Sequence, residues 1–378
     1  MQCPVKELST TEEYLNDFYL RAARRHVPLS GSLELTCRCN LKCIHCYLGG
    51  NVLRGKRQLS EMSTARVLSL LDEITEAGCL NLLITGGEPL LRDDFPEIYR
   101  RAKEKGLLVT VFSNGTLVAD RIVELFREFP PFEVEISLYG ATAGTYEKVT
   151  GVRGSYEKCM EGVKTLLDKN IRVNLKTVLM TLNRHELSEM ENIARKLGVR
   201  FRFDAAISPR IDGDRTPLAL RISPEDAIED EFSDPDRLEL WKNYFQGVKE
   251  NLLTDDLYGC RAGITGFHID PYGRLQPCMM MLDIQRDVSE GGFVKEWNEV
   301  AAMIRKRKAG PEFSCRGCEK VNLCGYCPSF FMLENGAEDD RSEYLCRMGE
   351  LRYERVVNPV VKGENHDREE RGILQTAL

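Results

Sequence analysis

The stretch GSLELTCRCNLKCIHCY, residues 31–47, opens as a strand and ends with four cysteines in eleven residues. Leu33 and Leu35 alternate with polar neighbours over GSLELT, the period of a half-buried strand. Directly behind it Cys39, Cys43 and Cys46 are spaced C-x3-C-x2-C. A loop at the carboxyl end of a parallel strand is where α/β sheets and barrels place their chemistry. Three thiolates on such a loop hold three irons of a four-iron, four-sulfur cube and leave the fourth iron open to a substrate or cofactor. Structural zinc is the alternative, with His45 or Cys37 as fourth ligand, although the loop lacks the paired CxxC hooks that zinc favours.

Outward from this loop the pattern repeats. Strand runs are expected at 31–36, 80–85, 107–113, 132–138, 171–179 and 199–207, each ending in polar or glycine-rich residues. Helical patterns lie between them. In EMSTARVLSLLDEITEAG, Val67, Leu70, Leu71 and Ile74 recur at helical spacing and a glycine follows. Alternating βα units imply a parallel sheet with helices outside it, here an α/β partial (βα)6 barrel. The expected organisation is a helical extension over 1–30, the barrel over 31–222 and a bridging helical segment over 223–257, read as one helix around 224–252. A cysteine-rich domain over 258–350 and a charged tail over 351–378 follow.

The bulk numbers narrow the function classes. The chain has 378 residues, 42% hydrophobic and 29% charged, enough for a large core. A net charge of −7 without a basic stripe speaks against nucleic acid. No apolar run reaches the roughly 20 residues of a membrane span, and the acidic N-terminus lacks a signal pattern, so the expected location is cytoplasmic. In that reducing compartment, 14 cysteines point to metal or redox chemistry. Four fall in the opening stretch and seven between Cys260 and Cys346. Cys3, Cys79 and Cys159 stand alone and are expected to be inert, the last two in the core. His45, Trp241 and Trp297 are expected to be packing residues.

The C-x3-C-x2-C motif followed by Tyr47 resembles the signature of the radical S-adenosylmethionine (SAM) superfamily. Further segments match behind successive strands: Gly86-Gly87-Glu88-Pro89, Ser113-Asn114-Gly115 and Ile136-Ser137-Leu138-Tyr139-Gly140. The resemblance implies that Cys39, Cys43 and Cys46 hold a [4Fe-4S] cluster whose open iron binds the methionine part of SAM. It implies cofactor contacts from Tyr47, Gly86, Gly87, Glu88, Pro89, Ser113, Asn114 and Ser137, with Glu88 on the SAM ammonium. Two positions depart from the family pattern. Tyr139 stands where aspartate is common, and Thr150 stands where an arginine often pairs with the SAM carboxylate. Lys148 and Arg153 are the nearby cations, and Lys148 is the expected substitute.

The later cysteines resemble the SPASM extension of that superfamily, which carries two auxiliary clusters. The resemblance implies one set of Cys260, Cys278 and Cys327 and a second of Cys315, Cys318, Cys324 and Cys346, hence three [4Fe-4S] clusters in all. Only two residues separate Cys324 and Cys327, one fewer than usual, and the first set lacks a fourth cysteine, leaving its open iron to a substrate or to a ligand such as Asp255 or Asp256. A zinc ribbon is the alternative reading of the CxxC pairs. The implied activity is reductive cleavage of SAM to a 5′-deoxyadenosyl radical that takes hydrogen from a substrate, most expectedly a peptide or protein. The alternatives are a tetrapyrrole or small molecule and, from another class, a non-catalytic iron–sulfur or zinc scaffold. A low-potential donor of flavodoxin or ferredoxin type and a separate peptide-recognition protein are the expected partners. In sulfatase-maturing relatives an aspartate base follows the cysteine equivalent to Cys278; Met279 stands here.

Overall fold

The computed structural model describes residues 10–49, 61–250 and 255–357. Cys3 and the charged tail beyond 357 lie outside them. Six parallel strands follow one another: β1 (Ser30–Glu34), β2 (Asn81–Thr85), β3 (Leu108–Ser113), β4 (Glu133–Ser137), β5 (Val173–Val178) and β6 (Phe201–Asp204). Five fall inside the runs expected from the alternation, and β1 begins one residue ahead of its run, at Ser30. The helices are α1 (Thr11–Arg24), α2 (Thr64–Glu76), α3 (Phe95–Glu104), α4 (Asp120–Glu128), α5 (Ala143–Thr150), α6 (Ser155–Asp168) and α7 (Leu187–Leu197). In α2 the predicted stripe of Val67, Leu70, Leu71 and Ile74 is buried, and Ser63 caps the first turn by accepting from the Arg66 N–H.

Strand side chains alternate between two faces. Leu33, Leu82, Ile84, Val109, Val111, Val134, Ile136 and Leu175 meet the helices in one continuous core. By the same alternation and the strand register, Glu34, Phe112, Glu135, Ser137, Lys176 and Arg202 fall on the opposite, inner face. An inner face this polar is suited to a ligand rather than to packing.

One expectation needs correcting. The bridging segment is two helices, α8 (Pro224–Glu231) and α9 (Pro235–Val248), not one. Proline after Asp234 cannot continue a helix, but it starts one well, and the Asp234 side chain caps the new turn by accepting from the Asp236 N–H. The sheet continues beyond the six barrel strands. β7 (Gly266–Ile269) runs parallel to β1 on its other edge, and β8 (Arg274–Gln276) and β9 (Arg286–Asp287) extend it antiparallel, giving nine strands in the order β6-β5-β4-β3-β2-β1-β7-β8-β9. Gly31 allows this junction, because a Cβ there would overlap the Phe267 ring. After α10 (Phe293–Arg305), the chain closes with α11 (Pro328–Asn335) and α12 (Glu343–Val357). Cys79, Cys159 and Trp297 are buried as expected, and the Trp297 indole donates to the His26 carbonyl (2.6 Å). Trp241 is only half-buried and donates to Glu231 (2.8 Å). Among the described residues, no helix is long and apolar enough to cross a membrane.

Candidate active site

The loop behind β1 is pinned on two sides. The Lys42 N–H donates to Thr150 O (2.8 Å) and the Ile44 N–H to Val149 O (3.1 Å), tying it to the end of α5. From β2, the Gly87 N–H donates to Thr36 O (2.7 Å) and the Glu88 N–H to Arg38 O (2.9 Å). Both glycines are required by this approach. Gly86 sits at φ +130°, and a Cβ on it would overlap the Thr36 carbonyl; a Cβ on Gly87 would lie 2.8 Å from Cys37 O. The Leu41 N–H points at Cys39 Sγ (3.4 Å), with Asn114 Nδ2 at 3.9 Å. Cys39, Cys43 and Cys46 all lie around the phenol of Tyr139, which burial first, then these thiols, pushes well up. Among the described residues, no three Cys, His, Asp or Glu side chains close on a single ion. A cube asks for another arrangement, three thiols facing one space and each binding its own iron, and the loop's donor set fits it.

The other motif residues meet at the same strand ends. Glu88 is fully buried and accepts from the Leu90 N–H (3.2 Å), the Asn114 N–H (2.7 Å) and the Ser113 hydroxyl (2.9 Å). Its carboxylate thus joins the second motif loop to the third rather than presenting itself outward, and burial raises its pKa to about 7. Pro89 opens the short helical turn that Glu88 caps. Asn114 passes the connection on, donating to Asn40 Oδ1 (2.9 Å) inside the cysteine loop. Ser137 ends β4 and pairs in register with Lys176. Tyr139 packs edge-on against His45 at 4.6 Å, and burial lowers the His45 pKa to about 4, so this imidazole is neutral.

The expected cation is not placed with them. Lys148 is exposed on the side of α5 opposite Thr145, Tyr146, Val149 and Thr150, and Arg153 is exposed in the following turn. The half-buried cation on the inner face is Lys176, which sequence reading missed. Its ammonium lies 2.7 Å from the Phe112 ring centroid and 3.4 Å from Glu135 Oε2, and burial, opposed by Glu135, lowers its pKa to about 7. A lysine in the middle of a strand run carries no local signal of which face it takes until register is known.

Tyr47 points into a cavity of about 280 Å³ lined by Glu34, Cys37, Tyr47, His268, Arg274 and Met279, among others. The Tyr47 hydroxyl donates to Glu34 (2.6 Å), Ser32 Oγ meets His268 Nδ1 (2.7 Å), and Asp270 pairs with Arg274. Burial pushes the Glu34 carboxyl up to about 7 from 4.5, against the Tyr47 bond, and lowers His268 to about 4. A carboxyl that holds its proton more tightly folded than unfolded stabilises below the unfolded value and loses that contribution as pH rises through the folded one. Thermal melts of Glu34→Gln should therefore lose less stability than the parent between pH 4.5 and about 7; parallel curves would exclude this carboxyl as the source.

Comparison with known proteins now decides the family. Residues 33–197 match the radical SAM superfamily. The chain carries a radical SAM domain. As a radical SAM enzyme it uses SAM and a [4Fe-4S] cluster, which together supply one-electron cleavage of SAM. An AdoMet-dependent heme synthase of Methanosarcina barkeri is 26% identical over 334 residues, 81% of this chain and 92% of that protein. The mycofactocin maturase MftC of Mycobacterium tuberculosis is 25% identical over 79% of this chain and 77% of its own. The fold is similar to Streptococcus suis SuiB bound to the precursor peptide SuiA, at a TM-score of 0.65 and 16% identity over 92% of this chain and 83% of that one.

In this radical SAM enzyme the seven later cysteines fall into two neighbourhoods. The thiols of Cys260 and Cys278 both bear on Cys327, whereas Cys315, Cys318 and Cys346 all bear on Cys324. Tyr326 stands between the groups, with Cys315, Cys324, Cys327 and Cys260 around it and its hydroxyl donating to Leu257 O (2.8 Å). Gly325, at φ +73°, makes the short Cys324–Cys327 turn. The carboxylates considered beside the first group both meet cations, Asp255 with Arg316 (2.9 Å) and Asp256 with Lys308.

Proposed function

We propose that this radical SAM enzyme modifies a peptide or protein, holding one substrate residue in the cavity between the core loop and Met279. The carrying observation is that cavity's size and charge. About 280 Å³ suits an amino-acid side chain, not a whole tetrapyrrole. Its lining sets three carboxyl groups, Glu34, Asp212 and Asp270, against one guanidinium, Arg274, which disfavours a polycarboxylate ligand. SuiB, similar in fold, is known with a peptide bound, which supports the same reading.

In this reading Cys39, Cys43 and Cys46 hold the core cluster, and the backbone at Gly86, Gly87 and Pro89, with Ser113, Asn114 and Ser137, shapes the SAM pocket. Glu88 locks those loops together, Tyr47 sets Glu34, and Lys176 takes the place expected of Lys148 as the cation toward the SAM carboxylate. Cys260, Cys278 and Cys327 hold one auxiliary cluster and Cys315, Cys318, Cys324 and Cys346 the other. Anaerobic reconstitution should then give about twelve irons per chain; about four would remove both auxiliary sites. A low-potential electron carrier and a separate peptide-recognition protein complete the system.

The tetrapyrrole reading has one observation in its favour, the similarity to heme synthase over 81% of this chain. One experiment separates the two. Reconstituted, reduced enzyme and SAM are incubated with the short peptides encoded beside its gene or with Fe-coproporphyrin III. A SAM-dependent mass change in a peptide, with no change in the porphyrin, is expected. Conversion of Fe-coproporphyrin III alone would overturn the peptide reading.

A further inference from the structure

The chain carries a net charge of −7, yet cations gather at the core cysteine loop. Lys42 lies between Cys39 and Cys43 and is exposed. Its backbone bonds to Thr150, and its carbonyl and Cβ lie 3.2 and 3.3 Å from where a Cβ on Gly151 would sit. That contact sets Lys42 against Gly151, three residues after Lys148 in the last turn of α5 and two before Arg153, both exposed. Among the described residues, none of these three cations forms an ion pair, whereas Arg184, Arg202 and Arg307 elsewhere each do. Acids nearby include Glu147, one of whose oxygens accepts from the Gly154 N–H (2.7 Å), Glu157 in the first turn of α6, and Asp214, whose partner Arg210 donates to Ile44 O (3.0 Å).

A single unpaired lysine in water means little. Three beside one loop of an otherwise acidic protein create a local positive field of the kind that steers an oppositely charged partner. The chemistry of this loop also needs an electron from outside the chain. A donor seated on Lys42 stands against the segment that joins two of the three core cysteines.

We propose that Lys42, Lys148 and Arg153 form the docking surface for an acidic, low-potential one-electron carrier protein. The inference rests on the assignment of the core cluster to Cys39, Cys43 and Cys46. In the encounter the carrier is oxidised by one electron and the loop-bound cluster is reduced by one, and no bond to the protein forms or breaks. The interface is of the small, transient kind typical of redox partners, so salt weakens it.

The test uses the reconstituted full chain with SAM and compares two reductants, a reduced flavodoxin and dithionite, with 5′-deoxyadenosine as readout. The variants are K42E/K148E/R153E and the charge-keeping K42R/K148R/R153K. The ratio of flavodoxin-driven to dithionite-driven rate should fall about tenfold in the charge-reversed variant at low salt and stay near the parent's in the charge-keeping one. Taking the ratio cancels any effect of the changes on SAM binding. Calorimetric binding of flavodoxin, at matched iron content, should weaken in parallel and lose its salt dependence. An unchanged ratio with unchanged affinity would overturn the proposal, as would an equal loss with both reductants at unchanged affinity. Failure of the parent chain to cleave SAM with dithionite would instead strike the cluster assignment, and the binding arm would still decide the docking surface.

Discussion

Replacing Cys39, Cys43 or Cys46 with alanine should abolish reductive SAM cleavage and remove the core cluster's iron, whereas Cys37→Ala should keep both near the parent level. All four thiols stand within eleven residues, so composition alone does not separate them. Their surroundings do. Cys37 lines the cavity with Tyr272 and Glu34, and burial, then the Glu34 charge, pushes its thiol up to about 11. Cys39, Cys43 and Cys46 lie around the Tyr139 phenol, whereas Cys37 faces that cavity. Cys39 instead receives the Leu41 N–H and faces the Asn114 amide, donors that favour a charged sulfur. The measurements are 5′-deoxyadenosine formed per chain and iron per chain at matched protein concentration. Loss of cleavage in Cys37→Ala with the core iron retained would place Cys37 in the chemistry.

The second large effect belongs to a residue that touches no metal. Gly87→Ala should lower the melting temperature and block loading of the core cluster. The added Cβ would lie 2.7 Å from the Arg38 carbonyl carbon and 2.8 Å from Cys37 O, both backbone atoms that cannot swing aside. Overpacking of this kind costs roughly 1–3 kcal/mol or more, and relieving it displaces the segment that leads into Cys39. Gly106→Ala is the control. Its backbone is left-handed (φ +83°), unlike that of Gly87, but a Cβ there meets nothing within 4 Å, so only a conformational cost of about 1–2 kcal/mol is expected, with iron loading intact. Equal iron loading in the two variants would show that the close approach of β2 to the cysteine loop is dispensable.

Much of this site can be read in one dimension because its signals are local. The alternation in GSLELT and LNLLIT specifies strands, and C-x3-C-x2-C specifies a loop of thiols behind the first of them. What resists reading depends on residues far apart in the chain. The pairing of β7 with β1 joins Ser30 to Gly266 across more than two hundred residues, and no period records it. The inward turn of Lys176 depends on its register with Ser137, and the cavity on loops that meet only when β7 docks. The break between α8 and α9 was legible, since Asp234-Pro235 is a stop and restart signal, but the surrounding helical composition masks it. Glu88 shows a subtler limit. Its motif suggests a ligand contact, and only the folded chain shows its carboxylate engaged by the Ser113 and Asn114 donors.

The place of β7 has a consequence for how the chain unfolds and how it tolerates shortening. β1 is hydrogen-bonded on one side to β2 and on the other to β7, so the strand that feeds the core cysteines is an interior strand only while the C-terminal cysteine region is in place. Cutting the chain ahead of residue 258 would turn β1 into a bare edge, open to pairing with another molecule. The two cysteine-bearing regions should therefore melt in one transition, and the barrel expressed alone should be found in the aggregate.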